Sequence, residues 1–338
     1  MINLISDTVT KPTAEMLQYM MQANVGDDVF RQDPTMNTLE ERMANMFGKD
    51  AAIFCPSGTM TNQIAIQMHT RPLDELICDH YSHVFQYETG GYAFNAGIAV
   101  NPLIGVNGKI TADQIDQAIK QDYDWLPNSS LVVLENSCNK GGGTYYTLEE
   151  IIPIAQLCRK KGLKLHLDGA RLFNVLVETG EKTEAVGKLF DSISICMSKG
   201  LGAPVGSVLI GNKDDMKRAR KFRKAMGGGM RQAGYLAAAC LYALDNNILR
   251  LKEDNNRAQA LAKHLSQLSY VAEIKPVMTN IVIFELDHIK ASEMIDYLAK
   301  ENIIASAFGP YAVRFVTHME IDDVMVKTVN DVMSRFRD

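Results

Sequence analysis

The sequence has no apolar run approaching the roughly 20 residues that span a bilayer, so no membrane helix is expected. It has no basic excess: 35 Lys and Arg stand against 40 Asp and Glu, and the formal net charge is −5. A chain that tracks a nucleic-acid backbone carries the opposite balance, so that partner class is set aside. The opening residues, MINLISDTVTKPT, lack both the basic and the apolar segment of a secretory signal. There is no CxxC, no HExxH and no paired Cys/His spacing, so no metal site is expected. The six cysteines are dispersed, and Cys55, Cys78 and Cys196 lie in apolar runs. That pattern suits buried free thiols in a reducing cytoplasm. Neither GxGxxG nor GxxxxGKS/T occurs, so the common nucleotide-binding loops are absent. Internal repeats and low-complexity linkers are missing too.

What remains is an ordinary globular composition of 338 residues, 46% hydrophobic and 22% charged, long enough for two lobes. Residues 1–50 read as an irregular arm and two helices. Met36, Leu39, Met43 and Met46 share one helical face, and Gly48 is placed to stop it. VGDDVFRQDPT, at 25–35, reads as a polar loop in spite of its three Asp. From residue 51 strands and helices alternate: AAIFC (51–55), ELIC (75–78), LVVLE (131–135), LKLHL (163–167), DSISICM (191–197) and VGSVLIG (205–211). Thr147 and Glu150 form a capping box for a helix that Gly162 ends. Continuous apolar strands alternating with helices predict an α/β fold with a mostly parallel sheet covered on both faces. Ligands bind such sheets at the carboxyl ends of the strands. After residue 212 long helices take over, then a second α/β run. The expected division is 1–247 for the arm and large domain, and 248–338 for a smaller C-terminal domain.

Lys199 follows the apolar run 193–197 and is set among Gly200, Gly202, Ala203, Pro204 and Gly206. A partly desolvated lysine loses its proton more easily and can attack an aldehyde. The glycines leave room for a flat group, and pyridoxal phosphate (PLP) held by Lys199 as a Schiff base fits that description. Ser57-Gly58-Thr59 lies between a strand and a helix, where free N–H groups and the helix dipole hold phosphate. Asp168, ending a buried strand, would keep a pyridine nitrogen protonated and make the ring an electron sink. Arg171 is within reach of either the ring oxygen or a substrate carboxylate, or forms a structural Asp–Arg pair. His83, just past a strand, could stack on the ring and exchange protons with substrate.

With these residues in view, the chain resembles the L-threonine aldolase family, PLP enzymes of fold type I. The resemblance rests on SDTVTKPT, VGDDVFRQDPT, PSGTM, SHVFQYETGG, LHLDGARL, SKGLGAPVGSVL and RKAMGGGMRQAG, from Ser6 to beyond Arg231. It implies that Lys199 is the Schiff-base lysine, Asp168 the ring-nitrogen partner and His83 the stacked histidine. Gly58 and Thr59 would bind phosphate. Ser6, Arg171 and Arg314 would contact the substrate carboxylate. Lys224 and Arg231 match positions that reach the site from a neighbouring subunit, in a homotetramer with sites at subunit interfaces. The implied reaction splits a β-hydroxy-α-amino acid such as L-threonine or L-allo-threonine into glycine and an aldehyde, with His83, directly or through a water, as the candidate base. The alternative is a PLP-dependent β-eliminating lyase or aminotransferase. Three departures fall near the expected pocket for the β-substituent: Trp125 and Cys138 where relatives carry histidine, and Phe30-Arg31 where they carry Tyr-Gly.

Overall fold

A computed structural model describes residues 1–336. The chain opens on a two-residue strand, β1 (Ile2–Asn3). The large sheet follows: β2 (Ala51–Cys55), β3 (Asp74–Asp79), β4 (Ala99–Leu103), β5 (Asn128–Glu135), β6 (Lys164–Asp168), β7 (Ser192–Cys196) and β8 (Ser207–Gly211). Its order is β2-β8-β7-β6-β5-β3-β4, and every pairing is parallel except the two made by β8. The expected mostly parallel α/β sheet is therefore what forms. Every residue of β7 and β8 is buried, as strands covered on both faces require.

The caps read from the sequence hold. Thr147 and Glu150 make a reciprocal capping box for Leu148–Lys161, and Gly162 closes that helix with φ of +72°. Ser57 accepts from the Met60 N–H and starts Gly58–His69. β4 has only five residues with a proline among them, which leaves little periodic signal in the sequence.

A smaller antiparallel sheet joins β9 (Val271–Ile274), β10 (Ile281–Leu286), β12 (Ser306–Ala307) and β13 (Ala312–Val316). The remaining strand, β11 (Ile303–Ile304), pairs in parallel with β1. Ile2 and Leu4 consequently lie in the hydrophobic core of this second lobe. Met16, a dozen residues on, lies in the core under the large sheet. The arm thus crosses from one core to the other.

The polar segment 25–35 differs from the expected solvated loop. Asp28 and Asp33 are fully buried. Asp28 pairs with the buried Arg223 at 2.7 Å, and Asp33 accepts from the N–H groups of Met36 and Gly234. Burial of an aspartate is tolerable when each carboxylate meets a cation or several N–H donors. Arg31 sits at φ of +62°, the left-handed region that glycine enters freely.

Candidate active site

β2, β3, β5, β6 and β7 all run the same way, so their carboxyl ends share one edge of the sheet. That edge presents the Ser57-Gly58-Thr59 turn, His83, Glu135, Asp168 and Lys199. β8 enters the sheet at the same edge through Ser207, paired with both Cys55 and Cys196.

Asp168 ends β6 and is buried. One oxygen accepts from Asn62 at 2.9 Å and the other from the Ala170 N–H at 3.2 Å. His83 stands on the next ridge, its N–H donating to Glu135 at 2.8 Å and its Nδ1 3.0 Å from Glu88. Burial works against charge on His83, but the Glu88 hydrogen bond and the fields of Asp168 and Glu135 outweigh it and raise its pKa. Burial, then the nearby charge of Asp168, pushes Glu135 up to about 7, although the Asn139 and His83 N–H groups oppose the rise. His83, Glu88 and Asp168 bring one nitrogen and two carboxylate oxygens within 4.8 Å of one another. The Asn62 amide already donates to both carboxylates, so the group is hydrogen-bonded without an ion.

The other flank is cationic. Arg171 is buried but does not pair with Asp168; it grips Asp7 through two hydrogen bonds of 2.7 and 2.8 Å. Asn280 adds a third donor to Asp7. Burial alone would raise Asp7, yet Arg171, assisted by Lys199 and Asn280, holds it at about 2. Arg314 lies beyond, donating to Asn139 and to the Ile5 carbonyl and packing over Phe308. Among the described residues it has no carboxylate partner, and its Nε is buried without a hydrogen bond. Burial, then repulsion from Arg171, lowers Arg314 to about 10. Ser6 is half-buried, its hydroxyl accepting from the N–H and hydroxyl of Thr8. The field of Lys199 reaches Asp7, and its ammonium group forms no hydrogen bond or ion pair among the described residues. Its backbone carbonyl accepts from Thr10, which ties the arm to the lysine loop.

Three expected site residues lie outside this cluster. Lys224 and Arg231 are exposed, and Arg231 pairs with Asp27 at 2.9 Å. Trp125 precedes β5, at the end of that strand remote from Glu135, and is 76% exposed and stacked on Tyr123. Within one chain these residues do not meet the others. Cys138 also departs from the expected pocket position: its buried thiol faces the carbonyls of Glu135 and Gly108, and burial raises its pKa well above the ordinary range. The largest of the described cavities, about 710 Å³, is lined by Arg31, Glu40, Asp50 and Arg220 and contains none of the candidate residues.

Asp7, Glu88, Glu135 and Asn62 were not singled out by sequence reasoning. Asp7 and Glu88 were inside the quoted segments SDTVTKPT and SHVFQYETGG. Their signal was acidity next to a stretch that must be buried.

A model of the beta-eliminating lyase family matches residues 3–289. The chain is 40% identical over 322 residues to the low specificity L-threonine aldolase of Escherichia coli K12, covering 95% of each. The chain belongs to the beta-eliminating lyase and threonine aldolase family. Another family member, the probable low-specificity L-threonine aldolase 2 of Arabidopsis thaliana, is 39% identical over 338 residues, covering 97% of this chain and 95% of that one. In fold the chain is similar to the Leishmania major threonine aldolase, with a TM-score of 0.85, 22% identity and 99% of both chains covered. The family is PLP-dependent, and this member's residues fit that cofactor. A Cβ on Gly58 would sit 2.6 Å from Cys196 Sγ and 3.5 Å from the Ser207 hydroxyl, so only glycine lets the turn close there. The Ser207 hydroxyl is buried and, among the described residues, without a partner, as a phosphate-facing donor would be.

Proposed function

We propose that the chain is a carbon–carbon lyase that splits L-threonine, L-allo-threonine or a related β-hydroxy-α-amino acid into glycine and an aldehyde, with PLP as cofactor. The observation that carries the reading is the gathering of Lys199, Asp168 and His83 at one sheet edge beside the Gly58 turn. Bound there, PLP supplies an electron sink for the pair released when the Cα–Cβ bond breaks. Ser57, Gly58 and Thr59 hold its phosphate at the amino end of the Gly58–His69 helix. Lys199 anchors its aldehyde. Asp168, fixed by Asn62, keeps a proton on the ring nitrogen. Arg314, with a buried Nε lacking a partner, binds the substrate carboxylate, assisted by Ser6. Arg171, held in place by Asp7, reaches the ring oxygen or that carboxylate. His83 takes the β-hydroxyl proton, directly or through a water. Its Nδ1 is engaged by Glu88, which leaves Nε2 for the substrate.

The assembly we infer is a homotetramer in the cytoplasm. The exposure of Lys224 and Arg231 supports the reading that they serve a neighbouring subunit's site. Trp125, exposed and preceding β5 at the end remote from Glu135, affects substrate choice only by the same route. We also keep the division near residue 247 as a proposal, supported by two separate hydrophobic cores, with Ile2 and Leu4 joining the second.

Aldehyde release tests the function. PLP-loaded protein is given L-threonine, L-allo-threonine and L-phenylserine, with glycine measured in parallel. Aldehyde and glycine in equal amounts support the lyase. Ammonia and a keto acid instead would overturn it in favour of β-elimination.

A further inference from the structure

One amide stands between the two carboxylates on the acidic flank. Asn62 lies on the second turn of the Gly58–His69 helix and is buried. Its Nδ2 is 2.9 Å from Glu88 Oε1 and 2.9 Å from Asp168 Oδ2. Its Oδ1 is 3.2 Å from His166 Nε2. Ionised carboxylates only accept, so the NH₂ group must face both of them, and His166 must donate from Nε2. His166 Nδ1 then accepts from the Ser192 hydroxyl at 2.8 Å, and that hydroxyl accepts from His69 Nε2 at 2.8 Å. Each donor in the row points toward the site, and every polar atom of the Asn62 amide is used.

We infer that Asn62, oriented by a neutral His166, is a positioning residue that holds Asp168 and Glu88 side by side through one shared amide. The assignment rests on the proposed PLP reading for its consequence, since Asp168 would face the ring nitrogen and Glu88 the proton-carrying His83. Two buried carboxylates in such proximity repel, and without the shared donor nothing holds them in this arrangement. A displaced Asp168 would weaken the hold on the ring proton; a displaced Glu88 would release His83. Burial, then the charge of His69, keeps His166 at about 3, so the ring is neutral across the working range and its hydrogen bonds to Asn62 and Ser192 choose the tautomer. The charged groups around this row are His83 and Glu135 at its site end, and Asp191, Lys164 and Arg218 beyond His69.

Two measurements test this. In the first, ¹⁵N NMR of the histidine rings in the wild-type protein, with and without PLP, reads the tautomer of His166 between pH 5 and 9. A neutral ring protonated at Nε2 throughout is expected. An Nδ1-protonated ring or an imidazolium overturns the assignment, whether or not PLP binds. In the second, the holoenzymes of wild type, Asn62→Leu and His166→Phe are compared with ¹⁵N-labelled PLP. The protonation midpoint of the ring nitrogen should fall by about one pH unit or more in Asn62→Leu, the direction of a weaker contact with Asp168. Turnover should drop by about tenfold to hundredfold, as when an orienting group behind a ligand is removed, with KM changed far less. His166→Phe should shift both in the same direction by a smaller amount. An unshifted midpoint with turnover within about twofold of wild type would sink the proposal. Wild-type protein that binds no PLP would instead remove the proposed function, with the tautomer experiment still deciding the role of Asn62.

Discussion

On one flank of the site Glu88, Glu135 and Asp168 are buried with a single histidine and a few amide donors between them. On the other, Arg171 is matched by Asp7 while Arg314 has only carbonyl acceptors. The acidic side carries negative charge in want of a proton-bearing partner, and the basic side positive charge in want of an anion. A protonated pyridine ring would answer the first and an amino-acid carboxylate the second. Pairing within the basic flank is uneven: Asp7 neutralises Arg171, whereas Arg314 has no carboxylate partner among the described residues.

The sharpest way to break this comparison is to remove the lysine proposed to anchor the cofactor. We expect Lys199→Ala to lower turnover on the order of 10⁴-fold or more, measured as aldehyde release, while both flanks stay folded. Next in size is Asp168→Asn, which should cost roughly 10²–10³ in kcat because it removes preorganised charge, with little change in KM. Asp7→Asn acts on stability. It strands Arg171 as an uncompensated buried charge, and denaturant titration should show a loss of about 3–5 kcal/mol. Arg314→Leu should divide the flanks most clearly: KM rises by about tenfold to hundredfold, the worth of one charged hydrogen bond, and kcat moves less. The smallest expected effect is in acid. Asp7 is depressed from 3.8 to about 2, so its contribution is complete above the unfolded value and is lost as pH falls from about 4 toward 2. Thermal melts of wild type and Asp7→Asn should therefore converge over that window. Parallel curves down to pH 2 would remove Asp7–Arg171 as the basis of the difference.

Much of this edge was legible before any coordinates. Asp168 and Lys199 each follow an apolar run too continuous for anything but a covered strand, and such strands end where ligands bind. The Ser57 cap and the Thr147–Glu150 box were equally plain, because their partners lie three residues away. What escaped was pairing across long separations. Arg171 looked suited to Asp168, three residues before it, but its partner is Asp7, 164 positions away. The buried Asp28 could not be told from a loop aspartate, since Arg223 lies 195 positions on. Trp125 and Cys138 were read as neighbours of the pocket from alignment with a motif; the fold sends one to the far end of β5 and turns the other inward.

The pairing of β1 with β11 has a consequence for when this site can exist. Ile2 meets Ile303, a contact spanning about 300 residues of chain. A ribosome adding about 5–20 residues per second makes the second partner roughly 15–60 s after the first. Until then the arm has no strand to join, and Asp7 lacks Asn280, which is also made late. The Asp7 carboxylate that grips Arg171 can therefore be fully partnered only once the second lobe has been made, so competence for catalysis should arrive abruptly with that lobe and not accumulate as the chain grows.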